Sequence, residues 1–184
     1  MRYWALLGLG SNYRARENLL NGVQALTSIS NHLALSKLYE NHDAYLAPNT
    51  GLKVASKIAD QMYVNGVVVL NTSMTLQDLH LTIKKIEFKV GFRHAKQCPL
   101  DIDILTYSDF CGALGQRQLP RKPCKAEYYI WRCMQDFGFS WPGLDLDEFY
   151  WQPMNWPEFI LYQNDINQEQ RLYLNSLHLV TGAT

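Results

Sequence analysis

The chain has 184 residues, with 17 Lys or Arg balanced by 17 Asp or Glu, for a formal net charge of zero. That balance leaves no basic footprint for nucleic acid, and no apolar run reaches the length of a membrane span. At 47% hydrophobic residues the chain can bury a sizeable core, so one domain with an appendage is expected, in the cytoplasm.

Residues 3–8 (YWALLG) read as an opening buried strand, which Gly8-Leu9-Gly10-Ser11-Asn12 then breaks as a turn. A helix follows over about 14–27, with Leu19, Leu20, Val23 and Leu26 on one stripe. Residues 33–39 read as a second strand. Residues 41–61 show no period and contain Pro48, Asn49 and Gly51, which reads as a long loop with a helical turn near 54–62. The β-branched run 63–71 (YVNGVVVLN) is a third strand. Thr75-x-x-Asp78 resembles a capping box before Leu76, Leu79, Ile83, Ile86 and Val90, with Gly91 as a stop. A loop over 92–99 leads into a fourth strand, PLDIDILTY. Beyond it, 127–134 and 168–179 read as helices, and 137–156 is aromatic and acidic. The order βαββαβ is the ferredoxin-like pattern, an α+β fold. Residues 1–136 would form that domain, and residues 137–184 an extension packed on it.

The strand PLDIDIL raises an electrostatic question. Leu100, Ile102 and Ile104 face one way, so Asp101 and Asp103 sit side by side on the other face, roughly 6.5 Å apart. Two such carboxylates repel unless water, a basic group or a divalent cation neutralises them. Hard oxygen donors in this pattern suit magnesium and a nucleotide's phosphates. A solvated strand face is the plainer alternative. Tyr63 and Asn65 also share one strand face, where a ring can stack on a flat heterocycle while a carboxamide bonds its edge. Basic residues cluster at Arg93-His94-Ala95-Lys96 and at Arg121-Lys122. The four cysteines form no Cys-x-x-Cys pair and read as reduced thiols.

Four blocks in order, ALLGLGSN, YVNGVVVLNTS, LHLTIKKIEFKVGF and PLDIDILTY, resemble the 6-hydroxymethyl-7,8-dihydropterin pyrophosphokinase family over residues 3–107. The resemblance implies a ferredoxin-like αβα sandwich and transfer of pyrophosphate from ATP to a pterin's hydroxymethyl group, giving AMP in folate biosynthesis. It implies that Asp101 and Asp103 are the catalytic metal ligands, holding two magnesium ions. It places Asn65 at the pterin edge, Tyr63 and Tyr129 on the pterin faces, and Ser11 and Asn12 on the substrate side. Glu87, Arg93, Lys96, Ile104, Arg121 and Lys122 would serve ATP. The partners are then ATP and a pterin, with no nucleic acid and no membrane, and the chain would be a monomer or weak dimer.

The chain also departs from the family pattern. Cys98 stands where an arginine usually precedes the first aspartate, and the loop before it is short. Leu119-Pro120-Arg121-Lys122 replaces a Val-Pro-His-Tyr motif, and Glu127 replaces a further arginine. These losses fall on the ATP side. They make a paralogue that binds a pterin or nucleotide, with lost or altered transfer, the alternative function. A third reading makes the aromatic stretch 141–156 a partner surface.

Overall fold

The computed structural model describes residues 2–30, 32–42, 62–109, 128–138, 151–163 and 168–173. Its strands are β1 (Tyr3–Ser11), β2 (His32–Leu35), β3 (Leu38–His42), β4 (Met62–Thr72), β5 (Asp101–Asp109) and β6 (Gln152–Met154). Its helices are α1 (Ala15–Thr27), α2 (Leu76–Val90) and α3 (Tyr128–Met134), with a helical segment at 168–173. The strands form one antiparallel sheet in the order β5-β1-β4-β3-β6, and β2 also pairs with β4.

Two elements differ from the sequence reading. The glycines of GLGSN do not end β1: Gly8 pairs with Val67 and Asp103, and Gly10 with Asn65 and Asp101. Glycine keeps both of its ladder bonds in an extended chain, so its turn preference yields where strands flank it on both sides. The expected strand over 33–39 is two strands. Leu35 pairs with Val68 and Tyr39 with Asn65, so four steps on one side match three on the other. The extra residue is a bulge, and it reverses which face later side chains take. Ser36 fills the break: its N–H donates to the Val67 carbonyl, and its Oγ accepts from the Val67 N–H, each at 2.9 Å. After the bulge the chain stays extended through Asn41 and His42, which the sequence reading assigned to a loop. Residues 43–61 and 174–179 lie outside the described residues.

The long helix starts as its sequence signals. Thr75 Oγ1 accepts from the Asp78 N–H at 3.2 Å, satisfying a first-turn donor. Leu79, Ile83 and Ile86 of α2, with Leu19, Val23 and Leu26 of α1, cover one sheet face, over Ala5, Leu7, Leu9, Val64, Val68, Leu70, Ile102 and Ile104. The other face carries Trp4, Leu6, Val67 and Val69, covered by Ile130, Trp131, Cys133 and Met134 of α3, with Phe137 and Tyr173. Residues beyond 137 join both layers. β6 pairs with β3, Phe159 is fully buried in the first cluster, and Tyr173 stacks on Trp4 at 5.7 Å.

Candidate active site

On the second face, β1 ends in two glycines in place of large side chains. Where β1 places Gly8 and Gly10, no side chain rises from the sheet, and the neighbouring strands supply the chemistry. Asp101 on β5, Gly10 on β1, Asn65 on β4 and Tyr39 on β3 are register partners in one row across the sheet. One step along β1, Asp103, Gly8 and Val67 form the next row on that face. At about 4.8 Å per strand, Asp101 and Asn65 stand about 10 Å apart across the glycines. A Cβ at Gly10 would lie 3.0 Å from Asn65 Oδ1 and 3.9 Å from the Tyr63 ring, and one at Gly8 would lie 3.6 and 3.7 Å from the Leu105 methyl groups and 3.7 Å from the Tyr129 hydroxyl. The structure therefore brings Asp101, Asp103, Tyr63, Asn65 and Tyr129 together over a glycine floor.

The short loop over 92–99 is folded tightly beside this floor. His94 and Gln97 exchange backbone hydrogen bonds at 3.1 and 2.8 Å, closing a turn at Ala95 and Lys96, with Ala95 at φ 51°. Asn12 clamps the turn. Its Nδ2 donates to the Lys96 carbonyl at 2.8 Å, and its Oδ1 accepts from the Cys98 N–H at 2.6 Å. Ser11 is fully buried, and its hydroxyl donates to the Pro99 carbonyl at 2.7 Å. Both side chains thus hold the segment that delivers Asp101.

Arg93 reaches back over the same segment. Its Nη2 lies 3.2 Å from Cys98 Sγ and 3.1 Å from Asp101 Oδ2. The Cys98 sulfur, then Asp101, hold the guanidinium above its ordinary pKa, and burial pushes the Cys98 thiol up. So a cation does stand beside the first aspartate, delivered from five residues upstream of Cys98. Lys96 is exposed on the turn.

Glu87 and Ile104 lie at the outer edge of β5. Glu87 Oε1 accepts from the Ile102 N–H at 2.8 Å and pairs with Lys84, tying the end of α2 to the strand. The Ile104 side chain is buried under the helices, and its N–H points along the same outer edge as that of Ile102, two residues back. Arg121 and Lys122 lie outside the described residues.

On the same face of the sheet, Cys133 of α3 donates to the Asn65 carbonyl at 3.8 Å, and burial pushes its thiol up to about 12. Tyr39 is buried with Arg132 over its ring at 4.3 Å and its hydroxyl donating to Asp136 at 2.9 Å. Asn41 is a site residue that the sequence reading missed. It faces the floor beside Tyr39, pairs in register with Tyr63, and its Oδ1 accepts from Asn65 Nδ2. Only the bulge at Ser36 makes Asn41 face this way, and no local pattern announces a bulge.

Two carboxylates side by side on one strand face fit magnesium, which keeps several waters and takes phosphate oxygens as further ligands. Among the described residues no cluster of three His, Cys, Asp or Glu side chains forms an all-protein metal cage. A flat ring bounded by Tyr63 and Tyr129, with its edge at Asn65, would lie next to that metal position.

The sequence profile of the 7,8-dihydro-6-hydroxymethylpterin-pyrophosphokinase family matches residues 6–138. A search of curated proteins finds no match. Similar solved structures include the Plasmodium falciparum HPPK-DHPS with pteroate, a variant form, at TM-score 0.39 and 18% identity, covering 58% of this chain and 27% of that chain. The wild-type Plasmodium falciparum HPPK-DHPS with pterin and p-hydroxybenzoate aligns at TM-score 0.38 and 19% identity, covering 58% and 28%. The chain therefore spans less than a third of the length of those structures' chains.

Proposed function

The chain belongs to the 7,8-dihydro-6-hydroxymethylpterin-pyrophosphokinase family, and we propose that it transfers the β,γ-pyrophosphoryl group of ATP to the hydroxymethyl oxygen of that pterin. A bond forms between that oxygen and the β-phosphorus, the hydroxyl proton passes to solvent, the bond between the β-phosphorus and the oxygen bridging to the α-phosphorus breaks, and AMP leaves with that oxygen. The observation that carries the reading is the row Asp101–Gly10–Asn65 across the sheet, near Tyr63 and Tyr129. One end of that row offers carboxylates for a metal-bound triphosphate, and the other offers an amide for a heterocycle.

Asp101 and Asp103 would hold magnesium, two ions with ATP, which when bound neutralises phosphate charge. Tyr63 and Tyr129 bound the ring faces, and Asn65 bonds the edge. Ser11 and Asn12 act by fixing the 96–99 segment against β1. Arg93 and Lys96, with Arg121 and Lys122, supply the cationic donors that a triphosphate needs. Ile104 stands on the ATP side at the β5 edge, which Glu87 holds in place. The order β5-β1-β4, with β2 and β3 on the far side of β4, supports a ferredoxin-like sheet. No helix among the described residues is long and apolar enough to cross a membrane.

The test is AMP formation from ATP, magnesium and 6-hydroxymethyl-7,8-dihydropterin. Asp101→Ala and Asp103→Ala should each abolish it while pterin binding persists. No AMP from the wild-type chain sinks the reading. The alternative, a ligand-binding paralogue with altered transfer, draws on one observation. The described loop carries a single arginine, it rests on Asp101, and Asn12 clamps the turn beside it. Pterin binding without AMP formation would decide for that alternative.

A further inference from the structure

Asn65 can present either of two faces. Rotation about the last torsion of an asparagine is soft and nearly two-fold, so its acceptor and donor ends exchange at little cost unless something holds them. A carboxamide free to turn recognises a heterocycle's edge poorly. In this site the turn is coupled to a neighbouring amide. Asn65 Nδ2 donates to Asn41 Oδ1, and the flipped amide would set two oxygens against each other. Asn65 Oδ1 therefore points toward β1, over the space that Gly10 leaves by having no Cβ. Both asparagines are buried, so neither can exchange this bond freely for water.

We infer that Asn41 is a positioning residue that sets the donor–acceptor sense of the Asn65 carboxamide and so selects heterocycles with a lactam–amidine edge. Asn41 comes to the site through the bulge at Ser36, which turns the residues of β3 so that Tyr39 and Asn41 share the floor's face. Its register partner is Tyr63, so it stands at the rim of the same ring position. The ligand must place an N–H against Asn65 Oδ1. A ring with an acceptor there would face an oxygen that turns away only if Asn41 turns with it, and a site built to bond an N–H rejects an analogue without one far more strongly than an apolar wall would. This inference rests on the pterin reading of the site.

The test is a double-mutant cycle on the full chain, read by titration with 6-hydroxymethyl-7,8-dihydropterin and, separately, with magnesium–ATP. Guanine, which carries the same lactam–amidine edge, is titrated alongside. Asn41→Ala is expected to weaken pterin binding about 10-fold and to leave ATP affinity unchanged. Asn41→Asp keeps an acceptor for Asn65 Nδ2 and should bind the pterin within about 3-fold of wild type. In an Asn65→Ala background, Asn41→Ala should have no further effect. Independent, multiplying losses overturn the inference, as does an Asn41→Asp chain as weak as Asn41→Ala. Equal losses for pterin and ATP overturn it too, since they would mark a general structural role. Wild type that binds guanine but not the dihydropterin overturns the pterin reading, and the same cycle on guanine then decides for or against Asn41. Wild type that binds neither overturns both.

Discussion

At the scale of the residue, the site depends on side chains that are missing as much as on those present. Gly10 clears the space that Asn65 Oδ1 uses, and a methyl group there would approach to 3.0 Å. Gly10→Ala should keep the fold, since its backbone is ordinary strand, but lower pterin affinity about 10-fold or more, read by ligand titration. Arg93 is the second such position. Cys98 takes little volume, and the Arg93 guanidinium lies against its sulfur on the way to Asp101. Arg93→Ala should reduce turnover by about 100-fold, the usual cost of losing one preorganised donor to developing phosphate charge. Steady-state AMP release measures it. Unfolding midpoints should barely move, because the Arg93–Asp101 pair is largely exposed.

At the scale of the element, α2 starts where its local chemistry puts it, while the strands answer to their neighbours. Thr75 caps α2, and Thr75→Ala should cost about 1 kcal/mol in urea unfolding. The connection from β1 into α1 is less obvious. Ser11 and Asn12 look like turn residues but serve as clamps on the 96–99 segment. Asn12→Ala leaves the Cys98 N–H without its acceptor, so amide hydrogen exchange at Cys98 should speed up while that of α2 stays unchanged. Equal rates at Cys98 in both chains would show that the clamp does not order the loop. The break between β2 and β3 could not be read from residues 33–42 alone, because its cause is the backbone of Val67 on another strand.

At the scale of the whole molecule, residues beyond 137 share the core. Phe159 is fully buried among side chains of the helix-covered face, and Arg16 on α1 pairs with Glu158 beside it. Phe159→Ala should destabilise the chain by about 3–5 kcal/mol, as for other large core truncations. Chemical denaturation checks it, and a loss below 1 kcal/mol would place this segment outside the cooperative unit. Among the described residues, burial holds Cys98, Cys133, Tyr39 and Tyr173 in their protonated forms. Burial raises Cys98 and Cys133 from 9.0, and Tyr39 and Tyr173 from 10.0. A raised folded pKa means stability that is complete below the unfolded value and is lost as pH climbs from there through the folded one. Melting temperature should therefore hold from pH 7 to about 9 and fall beyond it, first through the thiols and then through the phenols. Cys133→Ala should flatten the early part of that fall.

The sequence by itself determined the mixed α+β class, the helix limits near 14–27 and 75–91, the strand that carries DIDIL, and the shared face of Asp101 with Asp103 and of Tyr63 with Asn65. Those features depend on periodicity and caps, which act over a few residues. Only the tertiary structure decided that the glycines of β1 are a floor rather than a turn, and that Arg93 stands beside Asp101. It also decided that Asn41 belongs to the site. Each of these depends on register between strands far apart in the chain, and a one-residue bulge is enough to send a side chain to the opposite face.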